Sequence, residues 1–225
     1  MATHILLIES DDLAGSESLL SNLEQTGHQV CVVHTPSTAA TKINTVWPNL
    51  IVFNLLNIQP GPSAYHEAIS GTDLNIPYLI VGRGENFPVE TDAEVGVTSP
   101  SDAQQLTKAI EKVVSKQSNR FIRFPNFTID CTKHQILRDG ETYSLTPKEF
   151  KLLHLLVSNA DQVSSRKSIM QKVWETDYLG DTRTLDVHIR WLREKIEQNP
   201  SRPRHLVTVR GVGYHFIAEP EENSS

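Results

Sequence analysis

The sequence predicts two domains: an α/β domain with a parallel sheet, then an α+β domain that ends in a helix and a β-hairpin. Short apolar runs alternate with helical patterns in the first half, whereas closely spaced β segments open the second half. The net charge also differs between these two halves. Residues 1–119 carry 5 Lys/Arg and 13 Asp/Glu, a net charge of −8, and residues 120–225 carry 16 and 14, a net charge of +2. This asymmetry favours a regulatory half joined to a half that binds a polyanion.

The composition of the whole chain excludes several protein classes. With 38% hydrophobic and 21% charged residues among 225, the chain is typical of soluble globular proteins and not of disordered ones. No apolar run is long enough to span a membrane, and the N-terminus lacks the basic start of a signal peptide. We therefore expect a cytoplasmic protein without membrane association. Cys31 and Cys131 form no CxxC pattern, so we expect neither a disulfide nor a zinc site.

The first half alternates strands with helices. Leu50–Asn54 reads Leu-Ile-Val-Phe-Asn, a continuous apolar run typical of a strand covered on both faces. Thr35 is a favourable N-cap, and Pro36 is a favourable first residue for the next helix. This alternation predicts a parallel sheet with helices on both faces. The predicted strands are His4–Glu9, Gln29–Val33, Leu50–Asn54, Tyr78–Val81 and Val95–Thr98, and the predicted helices are Asp12–Thr26, Pro36–Trp47, Gly61–Ser70 and Asp102–Lys116.

A polar segment, residues 117–120, is the predicted linker to four short β segments. Asp139-Gly140 is a favourable two-residue turn between the last two of them. A capping box of Thr146 and Glu149 around Pro147 then predicts a helix. The β segments are Phe121–Phe124, Phe127–Asp130, Gln135–Arg138 and Thr142–Ser144, and the buried stripe of the helix is predicted to be Phe150, Leu153, Leu156 and Val157.

Two more helices and a hairpin complete the second half. Ser164 or Ser165 caps a helix that runs to Trp174. The next helix has two opposite faces at 100° per residue, one apolar and one with arginines. A hairpin then turns on Gly211–Gly213, and residues 218–225 form an acidic and polar tail. The apolar face holds Leu185, Ile189, Leu192 and Ile196; the opposite face holds Arg183, Val187, Arg190 and Glu194, with Trp191 at its edge and Arg193 on a flank.

A helix followed by a hairpin is the layout of a winged helix, in which the helix enters the major groove of DNA. Residues 121–217 resemble the DNA-binding effector domain of the OmpR/PhoB family of response regulators. Four runs of sequence carry the resemblance: Leu-Thr-Pro-Lys-Glu-Phe from Leu145, Asp-Thr-Arg-Thr-Leu-Asp-Val-His-Ile-Arg from Asp181, Leu-Arg-Glu-Lys from Leu192, and Thr-Val-Arg-Gly-Val-Gly-Tyr from Thr208. The resemblance implies a winged helix-turn-helix domain that binds promoter DNA as a dimer on tandem half-sites of roughly 10 bp.

The resemblance also implies the residues that face DNA. Trp191 departs from the pattern of relatives that place a base-reading arginine at this position. Its ring either contacts DNA or packs against the wing, which is the hairpin that turns on Gly211–Gly213. His188 is expected to form a hydrogen bond within the domain, and Asp186 to steer Arg190 or to cap locally. The DNA-facing residues are Arg183, Thr184, Val187, Arg190, Trp191, Arg193, Thr208, Arg210 and Gly211, and Gly211 and Gly213 are expected to supply the tight turn.

The loop 175–180 matches the loop through which members of this family contact RNA polymerase. Its residues Glu175, Thr176, Asp177 and Tyr178 are the implied contacts. An ordinary connector between two helices is the alternative interpretation, and the sequence leaves both interpretations open.

The first half, residues 1–116, resembles a receiver domain with a flavodoxin-like, CheY-like doubly wound sheet, but its phosphorylation chemistry is missing. A receiver needs an acidic pair, a phosphoacceptor aspartate, a hydroxyl residue and a lysine, and this chain has Glu9 with Ser10, Asn54, Gly82 and Ser99 at those positions. An amide is neither a sufficient nucleophile for a phosphoryl group nor an anionic ligand for Mg²⁺. The expectation is a pseudo-receiver with no metal and no catalytic residue.

The remaining carboxylates of that site are Glu9, Asp11 and Asp12, which are expected to be solvated charges. The predicted function is therefore a DNA-binding transcription regulator that acts without aspartyl phosphorylation and dimerises through its receiver-like domain. We expect neither an enzyme nor a cofactor. Two alternatives stay open: a signalling adaptor whose pseudo-receiver binds a protein or small ligand, and a regulator phosphorylated at another residue such as Asp11 or Ser10.

Overall fold

The computed structural model describes residues 3–13, 18–55, 62–70, 72, 74, 76–82, 97–98, 103–115, 120–176 and 183–220. The chain divides into two compact units, residues 1–118 and 119–225, and each is described here by itself. Within the described ranges, no helix combines the length and the apolar character needed to cross a membrane.

The first unit is a five-stranded parallel sheet in the order β2-β1-β3-β4-β5. Every residue of β3 and β4 is buried, as the continuous apolar run predicted. One core cluster joins this sheet to α1 and α4, and the ring of Tyr65 on α3 meets Phe53 edge-on. The elements are β1 His4–Ile8, α1 Leu20–Gln25, β2 Gln29–Val33, α2 Pro36–Val46, β3 Leu50–Asn54, α3 Pro62–Ser70, β4 Tyr78–Val81, β5 Val97–Thr98 and α4 Ala103–Ser115.

Two predictions for α1 and α2 have different outcomes. The capping of α2 is confirmed, because Thr35 accepts a hydrogen bond from the Thr38 N–H and Thr38 returns one to the Thr35 N–H. The predicted start of α1 at Asp12 is wrong, since Asp11 and Asp12 lie in a turn and the described helix begins at Leu20. The carboxylate of Glu9, the residue that follows β1, accepts a hydrogen bond at the start of this helix. Gly61, Val95, Asp102 and Lys116, each at an end of a predicted element, lie outside the described residues.

The second unit begins with a four-stranded antiparallel sheet in the order β6-β7-β8-β9. Asp139 and Gly140 have φ of 53° and 80°, so they form the predicted tight turn between β8 and β9. A second sheet of three strands, in the order β10-β12-β11, carries the wing hairpin. The elements are β6 Phe121–Arg123, β7 Phe127–Asp130, β8 Gln135–Arg138, β9 Glu141–Ser144, α5 Pro147–Ser158, β10 Val163–Ser165, α6 Arg166–Ile169 with a π-helical turn Met170–Trp174, α7 Arg183–Ile196, β11 Leu206–Val209 and β12 Gly213–Phe216.

The capping box of α5 is confirmed, but its predicted buried stripe is partly wrong. Leu152 is buried beside Leu153 and Leu156, whereas Phe150 and Val157 are half-buried. The Phe150 ring stacks on the ring of His134, with centroids 3.8 Å apart, so it covers the edge of the sheet and not the core. Strand β10 was not predicted, because three residues reading Val-Ser-Ser carry too little β pattern.

Candidate nucleic-acid interface

Helix α7 presents two faces of opposite character. Leu185, Ile189, Leu192 and Ile196 are buried in the core of the second unit, as predicted. The other face leaves its polar and apolar side chains in solvent, where a ligand can reach them. The exposed residues of the helix are Arg183, Thr184, Asp186, Val187, Arg190, Trp191 and Glu194.

A triad of polar side chains holds α7 against α6 and the wing. One carboxylate oxygen of Asp186 accepts hydrogen bonds from the Arg166 guanidinium at 2.6 Å and from the Tyr214 hydroxyl at 2.5 Å. Arg166 also donates to the Tyr214 hydroxyl, at 3.1 Å. Partial burial opposes ionisation of Asp186, but these two donors outweigh it and lower the pKa of the carboxyl. The expectation that Asp186 steers Arg190 is wrong, because its partners lie on α6 and β12.

Arg193 connects α7 with the first strand of the wing. Its guanidinium donates to the Leu206 carbonyl oxygen at 2.9 and 2.8 Å and to the Thr208 hydroxyl at 2.8 Å. Several N–H groups of Arg193, a predicted DNA-facing residue, therefore donate to oxygen atoms within the domain. This arrangement also orients the exposed Thr208 side chain on the strand that follows.

Two exposed arginines, Arg190 and Arg210, lie on different elements. The Arg190 side chain is 80% exposed, and its Nε donates to the Glu194 carboxylate one turn further along the helix, at 3.1 Å. Arg210 is exposed at the tip of the wing, next to Gly211. Gly211 has φ of +73°, which favours glycine and confirms its predicted role in the turn.

Gly213 has a role that differs from the predicted one. A Cβ atom at this position would lie 2.1 Å from the Ser164 carbonyl oxygen and 2.9 Å from Ser165 Cα. Glycine is therefore required by the close approach of β10 to β12, and not by a left-handed turn conformation. Spacing within the hairpin could not indicate this, because β10 lies about fifty residues earlier in the chain.

Three aromatic rings form a row beside the exposed face of α7. The His188 ring lies between Trp174 and Trp191, at 5.1 Å from each centroid. His188 Nδ1 also lies 2.8 Å from the Thr184 carbonyl oxygen, so its predicted hydrogen bond within the domain is confirmed. Trp191 is thus supported by His188, and 44% of it remains exposed.

Two buried carboxylates, Glu149 and Glu197, connect α7 to other elements; the sequence predicted the capping role of Glu149 but neither its bond to Lys195 nor the role of Glu197. Glu149 accepts hydrogen bonds from the Thr146 N–H at 2.8 Å and from the Lys195 ammonium at 2.6 Å, so it links α5 to α7. Glu197 follows α7 and accepts from three consecutive backbone N–H groups. The three donors are Arg204, His205 and Leu206, at 3.0, 3.0 and 2.7 Å.

Replacing Lys195 with methionine is expected to lower the free energy of unfolding of this domain by about 2 kcal/mol at pH 7, because Glu149 would remain buried without its ammonium partner. Burial raises the pKa of Glu149, but the bonds from Lys195 and Thr146 outweigh it and hold the pKa below its ordinary value. The Glu149 contribution is therefore present above the ordinary glutamate pKa and is lost as the pH falls through the lowered folded value.

Urea unfolding at pH 7 and at roughly pH 3, below the ordinary glutamate pKa, measures this effect. The difference between the wild type and Lys195→Met should shrink at the acidic pH. Lys151→Met is the matched control, because the Lys151–Glu175 pair at 2.7 Å is exposed and should change stability little. A difference that is equal at both pH values would contradict the proposed role of the ion pair.

The loop after α6 is described only at its start. Glu175 has φ of +60° and pairs with Lys151, and Thr176 is half-buried. The hydrogen bond from Lys151 lowers the pKa of Glu175. Asp177 and Tyr178, the other two implied polymerase contacts, lie outside the described residues.

In the first unit, the side chains of Glu9 and Asn54, at two positions of the implied phosphorylation site, are hydrogen-bonded to each other. Glu9 is only 4% exposed, which makes the expectation of a solvated carboxylate wrong for this residue. Its oxygens accept from the Ser18 hydroxyl at 2.7 Å, the Leu19 N–H at 3.1 Å and the Asn54 amide at 3.2 Å. The Leu19 bond places the carboxylate at the start of α1, where the positive end of a helix favours a negative charge.

The other positions of the implied phosphorylation site differ in solvent exposure and in backbone conformation. Asp11 and Asp12 are exposed, as expected, and Ser10 is half-buried. Gly82 has φ of +124°, a conformation that side-chain-bearing residues rarely adopt, and a Cβ there would lie 3.3 Å from Leu55 Cβ. Ser99 lies outside the described residues. Among the residues that the structure does describe, no cluster of three His, Cys, Asp or Glu side chains is arranged to hold a metal ion.

Comparisons with known proteins agree with this architecture. The family model described as "Transcriptional regulatory protein, C terminal" matches residues 140–216. The alkaline phosphatase synthesis transcriptional regulatory protein SphR of Synechococcus elongatus is 30% identical over 96% of this chain and 91% of its own length. The phosphate regulon transcriptional regulatory protein PhoB of Escherichia coli K12 is 31% identical over 96% of this chain and 98% of its own length.

Among solved structures, the DNA-binding domain of Klebsiella pneumoniae RstA, in complex with the RstA box, is 32% identical. The match covers 45% of this chain and 100% of the RstA domain, with a TM-score of 0.41. The full-length similarity to SphR and PhoB, together with the parallel sheet and the winged helix, shows that this chain belongs to the OmpR/PhoB family of response regulators and is a transcriptional regulator.

Proposed function

We propose that this protein is a sequence-specific DNA-binding regulator whose activity does not depend on aspartyl phosphorylation. The observation that carries the proposal is the buried hydrogen bond from the Asn54 amide to the Glu9 carboxylate, 3.2 Å long, at the position where the family phosphorylates an aspartate. It is supported by the exposed face of α7, which carries Arg183 and Arg190. The regulator would thus keep its DNA-reading surface while its usual chemical switch is absent.

Helix α7 and the wing would contact different parts of the DNA. Arg190 projects from the exposed face of α7, where it can reach guanine edges in the major groove, and Thr184 and Arg183 lie one to two turns before it. Arg210 and Thr208 on the wing suit the phosphate backbone. Arg193 is better suited to positioning than to contact, since its donors hold the wing strand at Leu206 and Thr208.

Arg190→Ala is expected to weaken specific binding by about 1–3 kcal/mol and to relax base choice, because a bidentate base contact would be lost. Arg210→Ala is the comparison, since loss of a phosphate contact should weaken binding to all sequences alike and lower the salt slope by about one unit. Salt titrations with specific and random duplexes distinguish the two. If neither variant changes a titration, this face of the domain does not bind DNA.

The chemistry of the receiver-like site supports phosphorylation independence. Asn54 is fully buried and already donates to Glu9, and Glu9 in turn is occupied by Ser18 and Leu19. The carboxylate that would help to bind Mg²⁺ therefore has three donors from the protein itself. Gly82 adds to this picture, because its φ of +124° would strain the threonine or serine that a receiver uses there.

Incubation with acetyl phosphate and Mg²⁺ tests this half of the proposal. We expect no base-labile, hydroxylamine-sensitive phosphoryl group in mass spectra, and an unchanged affinity for the selected duplex. A family member with an intact phosphoacceptor aspartate, treated in parallel, shows that the reagent is active. A modification at the exposed Asp11 or at Ser10 that tightens DNA binding would overturn the proposal in favour of phosphorylation at another residue.

Control would then come from assembly, from a partner or from the amount of protein. We propose a homodimer that forms through the receiver-like domain, bound to two tandem half-sites, with the loop that begins at Glu175 facing RNA polymerase. Sedimentation of the full-length chain, with and without a two-site duplex, measures the stoichiometry. A single copy that remains bound on a two-site duplex at saturation would rule out the dimeric arrangement.

A further inference from the structure

Two large apolar side chains lie side by side in solvent on the DNA-facing surface of α7. Val187 is 42% exposed and Trp191 is 44% exposed, and they are one helical turn apart. In the described part of this domain, the other exposed large apolar residues are Val163 on β10 and Val212 in the wing turn. Single exposed apolar residues are common, but an adjacent pair at the centre of a ligand-facing surface indicates an apolar contact with the ligand.

The Trp191 ring contacts one neighbouring ring of its own domain, that of His188. Its neighbour His188 is fixed on one side by the Thr184 carbonyl oxygen, 2.8 Å from Nδ1, and on the other by the edge of Trp174. The His188 and Trp191 centroids are 5.1 Å apart with planes at 57°. Because the ring is braced by His188, ordering it on binding costs little entropy.

The charges around the pair point to DNA as the occupant. Arg190 follows Val187 by three residues and is 80% exposed, and Arg183 and Thr184 lie one turn before Val187 on the same face. The acidic residues of α7 on this side are both paired, Asp186 with Arg166 at 2.6 Å and Glu194 with Arg190 at 3.1 Å. An apolar pair within a basic rim complements a groove bordered by phosphates better than it complements an apolar protein surface.

The major groove presents one apolar group to such a pair, the C5 methyl of thymine. We propose that Val187 and Trp191 select thymine through this methyl group. The half-site would then contain thymines beside the base that Arg190 reads. Four residues of helix advance roughly 6 Å and one base pair roughly 3.4 Å, so the two methyls would lie one to two steps apart. This proposal rests on the proposed function and narrows it to a thymine-containing site.

The experiment begins with selection of duplexes from a random library by the full-length protein. Each thymine of the selected half-site is then replaced by deoxyuridine, which removes only the methyl group, and the Kd is measured at constant salt. We expect one or two positions where the wild type loses roughly fourfold in affinity, the factor for burial of one methyl-sized group. Trp191→Ala and Val187→Ala should each abolish this sensitivity at one position, whereas Trp191→Phe should retain part of it.

Val163→Ala is the matched control, because Val163 is also an exposed apolar residue, 48% exposed, but it lies on β10 and not on α7. It should keep the full response to deoxyuridine. The proposal is wrong if no thymine shows methyl sensitivity, or if the two α7 variants keep the sensitivity of the wild type. It is also wrong if these variants bind DNA normally but lose self-association. Selection that returns no preferred sequence overturns the proposed function together with this inference.

Discussion

Replacing Asn54 with aspartate should lower the stability of the receiver-like domain by about 3 kcal/mol at pH 7, and it should not create a phosphoacceptor. Asn54 is fully buried, and its amide donates to the Glu9 carboxylate at 3.2 Å. Aspartate would place a second negative charge against the first and remove the donor. The loss should become smaller as the pH is lowered, because a proton held between the two carboxyls restores a hydrogen bond.

Hydrogen exchange of peptides from β1 and β3 in the full-length protein measures this effect in one domain. The matched control is the double variant Glu9→Gln/Asn54→Asp, in which the carboxylate and the amide swap positions, so that the contact again combines one of each. It should recover a substantial part of the stability lost by Asn54→Asp alone. Unchanged exchange in Asn54→Asp, or phosphoaspartate formed at this position, would show that the Glu9–Asn54 contact does not close the site.

Gly213→Ala should lower the stability of the second domain by about 3 kcal/mol and weaken DNA binding, because it displaces the wing. Its Cβ would lie 2.1 Å from the Ser164 carbonyl oxygen, 2.9 Å from Ser165 Cα and 3.0 Å from the Arg166 nitrogen. All three are backbone atoms, so no side-chain rotation relieves the overlap. Strand β10 must move away from β12, which disturbs the bond from the Arg166 N–H to the Val212 carbonyl oxygen.

Gly211→Ala is the control for this change. A Cβ at Gly211 meets no described atom within 4 Å, so alanine there is opposed only by the φ of +73°, about 1 kcal/mol. Thermal unfolding and DNA titration of both variants give the comparison. Equal effects of the two alanines would mean that the hairpin tolerates the overlap and that the β10–β12 contact does not determine the need for glycine.

Features that depend on neighbouring residues were predictable from the sequence. The N-cap at Thr35 and the capping box at Thr146 involve residues at most three apart, and the Asp139-Gly140 turn depends on two adjacent residues. The buried stripe of α7 follows from helical spacing alone. Each of these patterns involves residues that are close in sequence, so the structure it predicts does not depend on distant parts of the chain.

The roles of several polar residues could not be predicted in this way. Asp186 was expected to act on its own helix, but its partners are 20 and 28 residues away. Arg193 was predicted only to face DNA, and its bonds to backbone and hydroxyl oxygens 13 and 15 residues later were not predicted. A charged side chain has the same sequence pattern whether it is solvated or paired inside a domain, and only the approach of distant segments decides between the two.

The sequence by itself determined the two-domain α/β and winged-helix architecture, the family resemblance and the presence of asparagine at position 54, where the resemblance implies a phosphoacceptor. The tertiary structure decided the contacts at this position: Glu9 is buried and binds Asn54, 45 residues later, and the start of α1. It also decided that Trp191 is braced by His188 and left half in solvent beside Val187. Composition and periodicity report which side chains are available, but burial and hydrogen bonding depend on strands and helices that meet only in the folded domain.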